Sequence, residues 1–345
     1  MSIRQEVAMG QWSHFKKSIF PYFLFVILIF AGCKKTTQDG TAPGQVTDTQ
    51  KAQAAQTTAT SNSNCTAIEP FYWEIGNSNG ILVSGSTGDG SVIRTTQFGI
   101  ASATKWLFGA YVVQRLNGII DSTTQKYLTM SAGYTSFGNL SCVPASITTV
   151  NECYTTGSNS NYTAGNDNKF YYNGGHFQKW AVDNGMGTLN ESQLAAEFQN
   201  KLGADINLTF TNPQLAGGAA TSAAEYAKFL TKILSGQLLI KNFLGVNAVC
   251  ANPTVCTSAV SSPFTTMTFH YSYGHWVEDD PTSGDGAFSS AGLFGFYPWI
   301  DSEKTIYGII SRYEVPVGGN DIGSGAASQA CGSLIRKAYK SGVAQ

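Results

Sequence analysis

Short blocks of β-branched and aromatic residues gather in two separated parts of the chain. Near the front, "AIEPFYWEIG" (67–76), "GILVSGS" (80–86) and "GSVIRTTQFG" (90–99) are punctuated by Gly and Asn, the texture of antiparallel strands. The same texture returns after position 270 in "FHYSYGHWVED", "GLFGFYPWID" and "KTIYGIISRYE". Between them the apolar spacing changes to three and four. "ESQLAAEFQNKLG" and "TSAAEYAKFLTKILSGQL" read as helices, the second opening at Thr221 or Ser222, with Glu225 completing a capping-box pattern, and stopping at Gly236. A last helical segment, "ASQACGSLIRKAYKSG", closes the chain. Strands, a helical and loop-rich middle, then strands and a helix predict an α/β (α+β) fold. The sheet domain is assembled from 65–101 and 271–345, and a helical lobe spans 102–270. No internal repeat is visible.

"FGIASATKWLFGAYVVQRLNG" (98–118) is apolar almost all the way round yet holds Lys105 three residues after Ser102. Residues at i and i+3 share a helix face. Apolar surroundings and the positive end of the helix dipole both disfavour an ammonium, so the amine there is poised to act as a base on the hydroxyl. The competing reading is a lysine snorkelling out of the first turn of a core helix. The stretch alone supports both equally.

Upstream, "HFKKSIFPYFLFVILIFAGCKK" has Lys16 and Lys17, an apolar run from Ile19 to Phe30, and Ala31-Gly32-Cys33. The run is short for a membrane span. It reads as a signal peptide over 1–32, with Met9 a candidate start and Cys33 the lipidated first residue of a mature lipoprotein. Residues 33–64 hold almost nothing that builds a core and read as a disordered tether. The chain is thus expected in the bacterial cell envelope, lipid-anchored and extracytoplasmic. Its partners are then a membrane, through that anchor, and a small-molecule substrate.

Charge and cysteine usage narrow the picture. Lys plus Arg total 21 against 22 Asp plus Glu, and only 12% of residues are charged, which argues against nucleic acid. Of the seven cysteines, six remain if Cys33 carries lipid. An even number in an exported chain suggests disulfides. Cys142 with Cys153 and Cys250 with Cys256 are close in sequence, leaving Cys65 with Cys331. No C-x-x-C occurs, so a metal site is disfavoured.

Two tempting patterns fail on context. Gly76-Asn77-Ser78-Asn79-Gly80 matches G-x-S-x-G, but a strand follows where a nucleophile elbow needs a helix, so it is a hairpin turn. S-x-x-K recurs as Ser13–Lys16 inside the signal peptide. Outside that peptide only His176, His270 and His275 could serve a Ser-His-Asp triad.

Two further stretches favour the catalytic reading of Ser102 and Lys105. Tyr171-Tyr172-Asn173 is the only Y-x-N in the chain, and Ser290-Ala291-Gly292 opens a strand near the C-terminus. With "NPQLAGGAATSAAEYAKFL" and "YSYGHWVE", these ordered motifs resemble the serine β-lactamase, D-alanyl-D-alanine peptidase and esterase superfamily, in its class C-like branch, over about residues 92–340. The resemblance implies Ser102 as acylated nucleophile, with Lys105 and Tyr171 sharing proton transfer. Asn173 would orient substrate and lysine, and the amides of Ser102 and Leu293, beside Gly292, would form an oxyanion hole. It implies neither metal nor cofactor.

Two departures modify it. Ser290 stands where the family has Lys or His and supplies no charge to a substrate carboxylate. The family's N-terminal helix has no counterpart before Cys65. The expected function is therefore a serine hydrolase acting by acyl transfer on a neutral ester or amide. The alternatives are a D-alanyl-D-alanine carboxypeptidase or β-lactamase, and a non-catalytic, penicillin-sensing or binding lipoprotein.

Overall fold

A computed structural model describes residues 46–138, 140–315 and 323–345. The signal-peptide reading of 1–32 and the lipidation of Cys33 lie outside the described residues.

The helices are α1 (Asp48–Ser61), α2 (Ser63–Thr66), α3 (Thr104–Arg115), α4 (Ser122–Leu128), α5 (Val150–Thr155), α6 (Gly175–Ala181), α7 (Glu191–Leu202), α8 (Ala223–Leu234) and α9 (Gly323–Ser341). The first strands are β1 (Tyr72–Asn77), β2 (Gly80–Ser86), β3 (Gln97–Gly99), β4 (Phe170–Tyr171), β5 (Thr209–Phe210) and β6 (Ala219–Ser222). They are followed by β7 (Val249–Cys250), β8 (Ala259–Ser261), β9 (His270–Ser272), β10 (His275–Glu278), β11 (Ala287–Ser289), β12 (Tyr297–Ile300) and β13 (Tyr307–Ser311). Eight strands form one antiparallel sheet in the order β2-β1-β13-β12-β11-β10-β9-β7. The two chain ends therefore meet inside it, at the β1–β13 ladder. Small sheets β3-β6-β5 and β4-β8 brace the middle of the chain.

Strand alternation assigns the helices to the two faces of the large sheet. Tyr307 faces α8, which packs on β1 and β13. Ile310, three residues on, faces Gly332 of α9. Two elements within 102–270 thus belong with the sheet, β7 as its edge and α8 as its cover, so that span is not purely a helical lobe. The Ser222 hydroxyl caps α8 by accepting from the Glu225 amide, which settles its start at Ser222. Ser78 and Asn79, inside the Gly76–Gly80 pattern, form the turn of the β1–β2 hairpin.

The tether expectation is corrected over residues 46–64. Thr47 caps α1 through a capping box with Gln50, and Ala54, Ala55, Thr58 and Ala59 bury one face of the helix. That face packs on α9, with Asn62 Nδ2 donating to the Gln345 carbonyl (3.0 Å) and the Gln345 amide donating to Thr58 Oγ1 (2.9 Å). The N-terminal helix judged missing is therefore present. Its buried stripe is built from Ala and Thr, small enough for close helix approach but without the large side chains that mark an amphipathic pattern.

All three expected cysteine pairs stand as disulfides. Cys65–Cys331 ties α2 to α9 with Cα atoms 4.9 Å apart. Cys142–Cys153 and Cys250–Cys256 close loops with Cα separations of 4.9 Å and 6.3 Å.

Candidate active site

Ser102 sits in a single 3₁₀ turn, Ala101–Ala103, that runs directly into α3. Ala101 has φ +43°, a conformation that L side chains adopt at a cost and that recurs at functional turns. Neighbours hold the turn from several sides. Ser290 Oγ donates to the Ser102 carbonyl (3.0 Å), Tyr226 OH donates to the Ala103 carbonyl (2.9 Å), and the Ala219 amide donates to Thr104 Oγ1 (3.2 Å). Gly292 packs so closely that a Cβ there would lie 2.2 Å from the Ile100 carbonyl oxygen. Behind the helix, a Cβ on Gly109 or Gly274 would likewise strike backbone, so this glycine pair lets α3 settle onto the β9–β10 turn.

Lys105 is 5% exposed, and its Nζ lies 2.8 Å from Ser102 Oγ, hydrogen-bonded to it, while donating to the Ala216 carbonyl at 2.7 Å. No carboxylate ion-pairs with it among the described residues. Burial alone lowers its pKa from 10.5 to about 7. Both nitrogen contacts are compatible with a neutral amine, which keeps N–H donors for Ala216 and a lone pair for the serine proton. The snorkelling alternative is thereby excluded.

Tyr172, not Tyr171, stands beside this pair. Its ring centroid is 4.7 Å from Lys105 Nζ and its hydroxyl is buried next to Ser102 and Trp276. The physical reason is strand alternation. Phe170 and Tyr172 both pack against Tyr271 and Trp276, so the intervening Tyr171 projects elsewhere. The backbone of Tyr171 bonds Met130 and His176, and its side chain does not line the cavity. Burial holds the Tyr172 phenol well above its ordinary pKa, although Ser102 and Trp276 act in the opposite direction. At neutral pH it is therefore a proton donor. Between the two candidates, Lys105 is the group whose proton affinity suits a base near pH 7.

The remaining expectations divide. Ser102, Lys105, Asn173 and Leu293 line one cavity of about 490 Å3. Asn173, however, spends its amide on the Phe137 carbonyl (3.1 Å) and the Gly175 amide (2.9 Å), so it shapes the loop and does not hold the lysine. Ala216 takes that place. Ser290 is 2% exposed and turned toward the Ser102 backbone, so it anchors the Ser102 turn and does not line the cavity. Gly292 likewise acts through close packing. The Ser102 amide is among the first N–H groups of its helical turn, which have no intrahelical acceptor. With Leu293 on the facing wall of the cavity, the two residues expected to form an oxyanion hole border the same space.

The histidines are occupied elsewhere. His176 and His275 are buried and held neutral, with pKa values lowered to about 4 and about 3 by burial, and each bonds backbone groups. His270 pairs with Asp279 at the surface. Among the described residues no three His, Cys, Asp or Glu side chains gather as a metal cluster. Sequence reasoning missed Tyr172, Trp276 and Ala216, and the apolar residues around the cavity mouth. Alternation from the core residue Phe170 is the signal that would have selected Tyr172.

No family model and no curated protein matches the sequence. Solved structures do match. D-amino acid amidase from Ochrobactrum anthropi SV3, in complex with L-phenylalanine, aligns with a TM-score of 0.60 at 10% identity, over 84% of this chain and 98% of that one. EstCE1, a hydrolase with promiscuous acyltransferase activity, aligns at 0.58 and 11% identity over 83% and 100%. The octameric penicillin-binding protein homologue from Pyrococcus abyssi aligns at 0.53 and 14% identity over 81% and 74%. An antiparallel sheet flanked by helices, with its alignment to structures of these kinds, establishes that the chain has the serine β-lactamase/transpeptidase-like fold.

Proposed function

We propose that the protein is a serine hydrolase that works by acyl transfer on a neutral ester or amide. The observation that carries this reading is the Ser102 hydroxyl hydrogen-bonded at 2.8 Å to a buried amine that has no carboxylate partner among the described residues and whose pKa is lowered to about 7. Neutral Lys105 takes the serine proton as Ser102 Oγ attacks the substrate carbonyl carbon. The oxyanion is met by the Ser102 and Leu293 amides. As the tetrahedral adduct collapses, Tyr172 or the Lys105 ammonium protonates the departing alcohol or amine. Water then attacks the acyl-serine by the same route in reverse, releasing the acid and restoring both groups.

Among the described residues, Lys105 is the only Lys, Arg, Asp or Glu lining the cavity. Arg312, on the strand beyond, is ion-paired with Glu314 and bonds the Ser324 carbonyl. Among the described residues a substrate carboxylate would thus find no free cation, which disfavours β-lactams and D-Ala-D-Ala peptides and favours uncharged substrates. The envelope location, with Cys33 carrying lipid, forms part of this proposal and rests on the signal-peptide pattern and the disulfide framework.

The test is a panel of 4-nitrophenyl butyrate, a chromogenic cephalosporin and a D-Ala-D-Ala peptide, compared between wild type and Ser102→Ala. The ester should be turned over fastest, and the substitution should remove at least about 10³-fold of the rate. Activity that survives Ser102→Ala removes the proposal, and fluorophosphonate labelling that persists without turnover favours the sensing alternative.

A further inference from the structure

The cavity in front of Ser102 has two apolar walls of different origin. One is aromatic: Phe98 on β3 stacks on Tyr313 with centroids 5.7 Å apart, and Phe294 meets Tyr313 at 4.9 Å. The other is Leu140 and Val143, from the loop before α5. Leu140 is 80% exposed, Val143 56% and Tyr313 47%. A lone exposed leucine is ordinary. Exposed apolar groups on both sides of a cavity that holds a nucleophile and one charged residue mark a binding surface.

The aliphatic wall is built into the fold. Cys142, between Leu140 and Val143, is bridged to Cys153. Asn159, 1% exposed, donates to Ser141 Oγ and to the Cys153 carbonyl, both at 2.7 Å, and accepts from the Gly138 amide at 2.8 Å. The Phe137 carbonyl accepts from Asn173, which joins the loop to the segment carrying Tyr172. A side chain presented from a tied loop gives up less freedom on contact than one on a loose loop.

We propose that these walls form an apolar substrate subsite, so that the preferred substrates are neutral esters or amides bearing a medium-length alkyl or aryl group. The Cys142–Cys153 loop is its specificity-determining element. This rests on the reading of Ser102 as nucleophile only for turnover, since the subsite can also be read by binding. Each methylene buried is worth about a fourfold gain in affinity. Partial burial of the four extra methylenes of a hexanoyl over an acetyl group should therefore raise kcat/KM about tenfold or more.

The experiment measures kcat/KM for 4-nitrophenyl acetate, hexanoate and phenylacetate in wild type, Leu140→Ser/Val143→Ser and Tyr313→Ser. It also measures, by calorimetry, binding of the acetate and hexanoate esters to Ser102→Ala with and without the wall substitutions. Far-UV spectra and melting verify the fold, which substitutions at exposed positions should leave intact. Wild type should favour hexanoate at least about tenfold, and each wall variant should bring that ratio within about threefold. An acyl-chain ratio unchanged by the wall substitutions, or absent in wild type, overturns the inference. If wild type cleaves none of the esters, the catalytic reading fails separately. Wall-dependent tighter binding of hexanoate to Ser102→Ala then upholds the subsite, and equal binding of the two esters ends it.

Discussion

Replacing Lys105 with methionine keeps the apolar body of the side chain and removes the amine. Burial lowers the Lys105 pKa in the folded chain from 10.5 to about 7, equivalent to roughly 5 kcal/mol in favour of the neutral form. The unfolded chain keeps that proton up to its ordinary pKa of about 10.4. Between the two values the unfolded state binds one more proton, so stability rises with pH by about 1.4 kcal/mol per pH unit. Below about pH 7 the amine is charged in both states, and the full penalty stands against the fold. Lys105→Met removes this penalty but leaves Ser102 Oγ and the Ala216 carbonyl without their bond to the amine, at a cost of about 1 to 3 kcal/mol. At pH 6 the variant should therefore be more stable than wild type by about 2 to 4 kcal/mol. The advantage should vanish or reverse by pH 9.5. Urea denaturation at the two pH values, with disulfides intact, reads the difference directly. Ester hydrolysis should be lost in the variant, while wild-type kcat/KM rises through about pH 7 as the amine loses its proton. A stability difference that stays constant or grows with pH would refute the argument.

Tyr172→Phe should lower kcat by about 10²-fold or more, whereas Tyr171→Phe should stay within about threefold of wild type, since only Tyr172 reaches the reacting groups; equal losses would reinstate the Y-x-N assignment. Ala59 is fully buried where α1 meets α9, so Ala59→Asp should destabilise the fold by about 2 to 4 kcal/mol, measured by thermal or urea unfolding; a shift below about 0.5 kcal/mol would mean that α1 is dispensable.

The large elements were legible because their signals are local. The runs around β1, β2, β12 and β13 alternate or carry β-branched residues, α7 and α8 keep their spacing and caps, and α9 keeps its spacing. The Ser102–Lys105 pair was legible because a lysine in an all-apolar helix start asks for an explanation. What escaped depends on tertiary partners. The stripe of α1 is small, mostly alanine, and becomes a core face chiefly against α9. Tyr171 and Tyr172 are one position apart, and only the packing of Phe170 decides which enters the cavity. Ser290 was read by its place in a motif, yet its hydroxyl serves the Ser102 backbone. Leu140 and Val143 look like loop residues until the Cys142–Cys153 bridge sets them on the cavity that Ser102 lines.

The β1–β13 ladder has a consequence for how the chain is made. The β1–β2 hairpin leaves the ribosome early, but the strand that pairs with the inner edge of β1 is the last of the sheet to be synthesised. The partner of α1 comes later still, as α9. Until β13 is made an apolar strand edge of β1 waits unpaired, and such an edge invites wrong partners. The centre of the sheet can close only after β13 has been made, and contacts of such long sequence separation form slowly. Cys65 must remain unoxidised, or be released from an early mispairing, until Cys331 emerges. Folding of this protein thus waits on the segment from β13 to α9, and truncations that remove that segment should yield aggregation-prone chains.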